Sequence, residues 1–216
     1  MSQSKLQIPR DTSPVAILVR HAERYPIKEM RHALIAPLTD RGRNDAASFG
    51  LQLSHIGRID IYHSPVPRCK ETAEWIRNGL INGRAEATIV GHLEGLGGPY
   101  AVGPWEDLAS MVDRMGHSRF VRAWFNGDIP DTLIMPLPQA ARHQLNILID
   151  QLRHGDRSTI NVTHDWNIMA MREYYFNLKH EDIGDPGYLD GLWATLKDDA
   201  VRLSCCGFER LLPLTA

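Results

Sequence analysis

The segment from residue 15 to residue 24 combines an apolar run with groups that bind and attack anions. Five apolar residues lead into Arg20, His21 and Arg24. Arginine offers planar, paired N–H donors that match the oxygens of a phosphoryl group. A neutral imidazole is available near pH 7 and acts as a nucleophile without activation by a metal ion. The segment therefore predicts a phosphate site in which His21 attacks phosphorus.

Two later segments contain side chains that complete such a site. Arg68 follows Ser64-Pro65 and supplies another cation, while His164 supplies a further hydrogen-bond donor to phosphate. Asp165, next to His164, is a candidate acid that protonates the departing alkoxide. The same carboxylate then deprotonates the water that attacks the phosphohistidine. Together these residues predict phosphoryl transfer, which depends mainly on positioning and on neutralising charge.

Strands are the elements that must bring these distant residues together. An apolar run predicts a strand over 15–20, and shorter segments predict strands over 60–64, 87–91 and 158–163, with amphipathic helices between them. This order indicates an α/β fold with three layers, in which helices cover both faces of a mainly parallel central sheet. The carboxyl ends of its parallel strands share one edge, where ligands bind in such sheets. His21 and His164 each follow a predicted strand, so we expect them to meet there.

The remaining segments suggest one domain, 1–216, with a small helical insertion. Residues 1–13 are polar and predict a loose N-terminal tail. Residues 93–138 contain two predicted helices and are expected to form a cap that sets the substrate. The last predicted elements are strands over 192–196 and 200–205, joined as a hairpin.

The composition argues against several classes of function. The formal net charge is −2, with 43% hydrophobic and 23% charged residues, so nothing favours binding to nucleic acid or membranes. No apolar run has the length of a signal peptide core or a membrane helix. Three cysteines, two of them adjacent, disfavour a disulfide framework, and no His/Cys spacing suggests zinc. We expect a cytoplasmic protein that uses no cofactor or metal, and the sequence leaves its oligomeric state open.

Four segments, in order, resemble the motifs of the histidine phosphatase superfamily. Residues 20–26 are similar to its Arg-His-Gly-x-Arg-x-Pro signature, and residues 38–42 to the Leu-Thr-x-x-Gly that follows. Residues 64–73 resemble its Ser-x-x-x-Arg-x-x-x-Thr-Ala segment. Residues 163–165 resemble the His-Asp pair of the acid-phosphatase branch. The resemblance implies a phosphoglycerate mutase-like fold and hydrolysis of a small-molecule phosphomonoester.

The resemblance also implies roles for individual residues. It implies a phosphohistidine at His21 and Asp165 as the proton donor, and a phosphate pocket formed by Arg20, Arg24, Arg68 and His164. The chain is short, however, as in the mutase-like branch, which takes its acid from a glutamate after the third strand. Glu94 lies in about that place, so the sequence ranks Asp165 first and Glu94 second.

Two other functions are compatible with the sequence. A phosphomutase would use the same phosphohistidine, and its diphosphorylated intermediate would need further basic residues, for which Arg119 and Arg122 are candidates. A non-catalytic phosphate-binding module is the second alternative. Its support is Ala22, which stands where the family usually has glycine and would impair the site if that turn required a positive φ.

Overall fold

A computed structural model describes Leu6, Ile8, residues 14–98 and residues 100–214. Its strands are β1 (Ala16–Arg20), β2 (Arg58–His63), β3 (Glu86–His92), β4 (Ser158–Thr163), β5 (Gly191–Lys197), β6 (Ala200–Cys205) and β7 (Phe208–Pro213). Its helices are α1 (Asp40–Gln52), α2 (Pro67–Asn82), α3 (Trp105–Met115), α4 (His117–Asn126), α5 (Leu137–His154), α6 (Asp165–Phe176) and α7 (His180–Ile183). Short 3-10 turns occur at Met30–His32, Ser54–Ile56 and Glu94–Leu96.

The strands form one mixed sheet of seven strands in the order β3-β2-β4-β1-β5-β6-β7. The pairs β3–β2, β2–β4 and β4–β1 are parallel, whereas β5, β6 and β7 add antiparallel strands beyond β1. The predicted α/β fold with a parallel centre is confirmed. The predicted terminal hairpin is present, but β7 extends it to three strands.

Side-chain alternation along β1 explains why helices cover both faces of the sheet. Val15, Ile17 and Val19 face one hydrophobic cluster, which includes residues of α1 and α2. Ala16 and Leu18 face the opposite cluster, which includes residues of α5 and α6. Successive side chains of a strand point to opposite faces, so a continuous apolar run requires cover on both.

Helices α3 and α4 belong to a third hydrophobic cluster at one end of α6. Phe120 and Trp124 of α4 are buried there with Trp166 and Met169 of α6. Both helices fall within residues 93–138, and the assignment of that segment as a cap stays a prediction. Of the predicted N-terminal tail, Leu6 and Ile8 are half-buried against the first cluster. The rest of that tail lies outside the described residues.

Candidate active site

The parallel register places the two site histidines side by side. Arg20 at the end of β1 pairs with Thr163 at the end of β4, so His21 and His164 are the next residues on neighbouring strands. Their ring centroids are 5.6 Å apart. Ser64 follows β2, and its N–H donates to the carbonyl of Val162 in β4 over 2.9 Å. Residues from three strand ends therefore meet at one edge of the sheet.

The backbone fixes the orientation and the tautomer of His21. Its Nδ1 lies 2.8 Å from the carbonyl oxygen of Ala22. A carbonyl oxygen only accepts hydrogen bonds, so Nδ1 carries the proton and Nε2 keeps its lone pair. Burial, followed by the proximity of Arg68, His164 and Arg20, holds the pKa of His21 well below its usual value. The imidazole is therefore neutral at pH 7, as a nucleophile must be.

His164 is held in the opposite tautomer. Its Nδ1 lies 3.0 Å from an Nη atom of Arg68, which can only donate, so the ring proton is on Nε2. That Nε2–H donates to Oγ of Ser64 over 2.9 Å. Burial and the nearby Arg68 lower the pKa of His164 to about 3. Both histidines are thus neutral, and the charge of the site comes from arginines.

Three arginines crowd around the histidines with incomplete hydrogen bonding. Arg20 donates to the carbonyl of Pro186 over 2.5 Å, Arg68 donates to the carbonyl of Ala33, and Arg24 donates to that of Tyr25. The Nε atom of each of the three is buried without a partner. Buried unpaired donors are uncommon in folded proteins, and such a group of cations is typical of a site that an anion completes.

The pKa values of two of these arginines also indicate a site that an anion completes. Burial lowers the pKa of Arg68, and the charge of Arg24 lowers it further. Burial also lowers the pKa of Arg24, with a further contribution from Arg20. Desolvation and mutual repulsion oppose the charged forms, and a bound phosphate dianion would relieve both effects.

The two candidate proton donors have different surroundings. Asp165 begins α6 and forms an ion pair of 2.7 Å with Arg20, and its side chain is 25% exposed. Burial raises the pKa of Asp165, but Arg20, His164, His117 and the N–H of Trp166 together lower it below its usual value. The side chain of Glu94 is 83% exposed and lies 3.4 Å from His92.

A cavity of about 890 Å³ opens over this cluster. All seven residues predicted for the site line it: Arg20, His21, Arg24, Arg68, Glu94, His164 and Asp165. The structure thus brings the predicted residues together, and their individual roles remain proposals. Among the described residues, no group of three or more His, Cys, Asp or Glu side chains is arranged to hold a metal ion.

A loop before β5 contributes contacts that the sequence did not predict. The ring of Tyr188 lies 4.4 Å below the guanidinium of Arg20 and 5.9 Å from the ring of His21. Pro186 accepts from Arg20, and Asp185 lines the cavity. The signal available in the sequence was a glycine- and proline-containing stretch, 184–190, next to a strand, which alone does not indicate a site.

Ala22 adopts an ordinary backbone conformation. Within the described residues, the non-glycine positions with positive φ are Arg84, Asn177, Leu189, Asp198 and Cys206. The Ala22 methyl group is buried in the first hydrophobic cluster, and its N–H donates to Thr72 over 3.1 Å. The turn therefore does not require glycine, and it presents the carbonyl that orients His21.

Comparison with known proteins agrees with this geometry. A family model of the histidine phosphatase superfamily (branch 1) matches residues 16–190, and the chain belongs to this superfamily. No curated protein sequence matches the chain.

Solved structures with the same fold include both phosphatases and a mutase. The chain is 14% identical to a mycobacterial glucosyl-3-phosphoglycerate phosphatase bound to inorganic phosphate, with a TM-score of 0.61 over 91% of this chain and 98% of that one. It is 18% identical to phosphoserine phosphatase from Entamoeba histolytica in complex with 3-phosphoglyceric acid, with a TM-score of 0.58 over 91% of this chain and 94% of that one. It is 14% identical to phosphoglycerate mutase from Bacillus anthracis, with a TM-score of 0.57 over 92% of this chain and 91% of that one. These similarities establish the phosphoglycerate mutase-like fold. Within the part of the chain that the structure describes, no helix is long and apolar enough to cross a membrane.

Proposed function

We propose that this protein is a metal-independent phosphatase that hydrolyses a phosphomonoester through a phosphohistidine at His21. The observation that carries the proposal is the hydrogen bond from His21 Nδ1 to the Ala22 carbonyl. This bond leaves the Nε2 lone pair of a neutral imidazole beside the buried Arg68 and the partly buried Arg20 and Arg24. Nucleophile and phosphate-binding cations are therefore preorganised together.

In the first step, Nε2 of His21 attacks phosphorus and forms the N–P bond. The P–O bond to the alcohol breaks, and its electron pair leaves with the alcohol oxygen, which takes a proton from a carboxylic acid. Arg20, Arg24 and Arg68 neutralise the phosphoryl oxygens. His164, which the sequence placed in the phosphate pocket, has its Nε2–H on Ser64 and its Nδ1 on Arg68, so it acts by positioning Arg68. In the second step, the carboxylate takes a proton from water as the water oxygen attacks phosphorus. The N–P electron pair returns to Nε2, and inorganic phosphate is released.

We assign the proton donor to Glu94, which reverses the order in which the sequence ranked the two acids. Asp165 is held as a carboxylate by Arg20, and a group with a lowered pKa gives up its proton before the alcohol needs it. Glu94 lines the same cavity without an arginine partner. Its place after β3 is the one that the mutase-like branch uses for its acid. Asp165 then acts through Arg20, as a positioning residue.

Paired amide variants test this assignment. Glu94→Gln should lose about 10²–10⁴-fold in kcat on an alkyl phosphate and much less on p-nitrophenyl phosphate, whose leaving group needs no proton. Asp165→Asn should lower kcat/KM for both substrates to a similar extent, mainly by raising KM. The opposite pattern would return the donor role to Asp165, and equal losses in both variants would exclude both assignments.

The arrangement of basic residues favours a phosphatase over a phosphomutase. Arg122, on α4, is bound to Glu173 and Glu181 at 2.6–3.2 Å. Arg119 is exposed, and neither arginine is among the described residues that line the cavity. Among the described lining residues, Lys28 is the one lysine or arginine beyond Arg20, Arg24 and Arg68, which falls short of the second set of cations that a diphosphorylated intermediate would need.

Incubation with a phosphomonoester and a second alcohol tests hydrolysis directly. We expect release of inorganic phosphate at a rate that a metal chelator leaves unchanged. Quantitative transfer of the phosphoryl group to the second alcohol, or to another hydroxyl of the substrate, would indicate a mutase. Absence of turnover together with tight phosphate binding would indicate a binding module.

A further inference from the structure

The walls of the cavity above the phosphate site are mainly apolar and aromatic. Met30 and Leu34 line it from the segment before α1, Tyr100 from the segment after β3, and Trp105 and Val112 from α3. Leu34 is 43% exposed, so it can contact a ligand without unfolding of its surroundings. Three separate parts of the chain thus present apolar surface to the same space.

The charges on these walls are mostly negative. Asp113 and Asp185 line the cavity outside the phosphate site as carboxylates, Glu94 is the proposed acid, and Lys28 is the single lysine or arginine among the other described lining residues. Asp113 lies within 3.4 Å of the N–H of Met30, which orients the carboxylate but leaves its charge. A second anionic group on a substrate would face these carboxylates at close range, which disfavours its binding.

His117 does not change this balance. The indole N–H of Trp166 donates to its Nε2 over 2.8 Å, so the ring proton is on Nδ1. That nitrogen faces Asp185 at 3.6 Å. Both nitrogens are directed at protein groups, so His117 has no free N–H for a substrate anion.

The cavity is also much larger than a phosphate group requires. Its volume of about 890 Å³ lies within the range of clefts that bind drug-sized ligands, about 300–1,000 Å³. The size of the cavity, its apolar walls and its excess of carboxylates together indicate which kind of alcohol the cavity can accept. Apolar surface that leaves water on binding adds affinity in proportion to its area.

We propose that the substrate is a phosphomonoester of a bulky, largely apolar alcohol that has no second anionic group. This inference rests on the proposed function and adds the class of the leaving alcohol. The phosphate is held at the sheet edge by the arginines, and the alcohol part lies between the segment before α1 and helix α3, against Leu34 and Trp105.

Binding of three esters to the His21→Ala variant tests the inference without turnover. The probes are 1-naphthyl phosphate, glycerol 2-phosphate with a polar neutral alcohol, and 3-phosphoglycerate with an added carboxylate. Calorimetry should give a Kd for 1-naphthyl phosphate at least about tenfold below that for glycerol 2-phosphate, with 3-phosphoglycerate the weakest. Equal affinities, or tightest binding of 3-phosphoglycerate, would overturn the inference.

Two neighbouring residues provide a matched pair of variants. Leu34 lines the cavity, whereas the adjacent Ile35 does not line it and is 74% exposed. Leu34→Glu should weaken binding of 1-naphthyl phosphate at least about tenfold, and Ile35→Glu should leave it within about twofold. Leu34→Lys should selectively improve binding of 3-phosphoglycerate. Equal effects of the two glutamate variants would show that the apolar wall does not contact the alcohol.

Inorganic phosphate and turnover of the wild-type protein separate this inference from the proposed function. If phosphate binds and all three esters are hydrolysed with similar kcat/KM, the function stands and the inference fails. If neither phosphate nor any ester binds, the proposed function fails and the inference fails with it. Preference for 1-naphthyl phosphate in both binding and kcat/KM supports both.

Discussion

At the scale of single residues, the site depends on neutral histidines among charged arginines. A backbone carbonyl directs the proton of His21 to Nδ1, and Arg68 with Ser64 directs that of His164 to Nε2. The partner of His21 is a carbonyl oxygen, which can only accept a hydrogen bond. The partners of His164 are a guanidinium, which can only donate, and a hydroxyl, which can do either. The energetic cost of burying the cations is stored at the place where a phosphate dianion would bind.

Tyr188 is expected to position Arg20 by a cation–π contact of 4.4 Å. Such contacts contribute about 0.5–2 kcal/mol, so Tyr188→Ala should lower kcat/KM by roughly 2- to 30-fold, mainly through KM. Tyr188→Phe keeps the ring and should stay near the wild-type value. Steady-state kinetics of both variants checks this. A loss in Tyr188→Phe equal to that in Tyr188→Ala would assign the effect to the hydroxyl instead.

The buried His164 should make stability depend on pH. Its pKa is about 3 in the folded protein and about 6.5 in the unfolded chain, so between these values the unfolded state binds more protons. The free energy of unfolding should fall as pH decreases from about 6.5, with a contribution from His164 of up to about 1.4 kcal/mol per pH unit. Denaturant titrations between pH 7 and 5.5 measure how steeply the free energy of unfolding changes with pH. His164→Gln should reduce this slope, and an unchanged slope in this variant would contradict the explanation.

At the scale of elements, strand register and one close helix contact form the site. The pairing of Arg20 with Thr163 brings His21 beside His164, although more than 140 residues separate them. Helix α1 then approaches the turn after β1 closely. Its N-cap Thr39 accepts from the N–H of Gly42 over 2.9 Å, and a Cβ at Gly42 would lie 2.1 Å from the carbonyl oxygen of Glu23.

Gly42→Ala should therefore destabilise the protein even though alanine favours helices. The methyl group meets backbone atoms that cannot rotate away, so α1 or the turn with Glu23 must move. We expect a loss of roughly 1–3 kcal/mol in the free energy of unfolding, with lower kcat. Gly187→Ala is the matched control, because its added Cβ would have its nearest contact at 3.9 Å. Thermal unfolding of both variants checks this, and a Gly42→Ala protein as stable as the control would refute the packing argument.

The same elements show what the sequence can and cannot predict. A continuous apolar run located β1, because a strand buried on both faces carries such a signal. The β-branched residues of 158–163 located β4. The site residues follow both strands directly. Strand β7 was not predicted because its residues are mostly exposed and lack an alternating pattern. Tyr188 was missed because its contact with Arg20 depends on tertiary packing of a loop 168 positions later. The ion pair of Asp165 with Arg20 was likewise not visible in the sequence, and it changes the assignment of the acid.

At the scale of the whole molecule, the sheet edge and the helices above it contribute different parts of the cavity. The edge supplies the arginines and histidines of the proposed phosphate site, while α3 and the segment before α1 supply apolar walls to the same cavity. In the proposed function, chemistry and substrate choice thus lie on different parts of the chain. Superfamily membership defines the fold, whereas the choice of substrate has to be argued from the side chains that line the cavity.

The most direct measurement is the trapping of the covalent intermediate. Rapid quenching of the protein with a ³²P-labelled phosphomonoester should yield a label that is stable in base and labile in acid, as expected for a phosphohistidine. Peptide mapping should place the label on His21, and His21→Ala should show neither label nor turnover. A label on another residue, or full turnover by His21→Ala, would contradict the account.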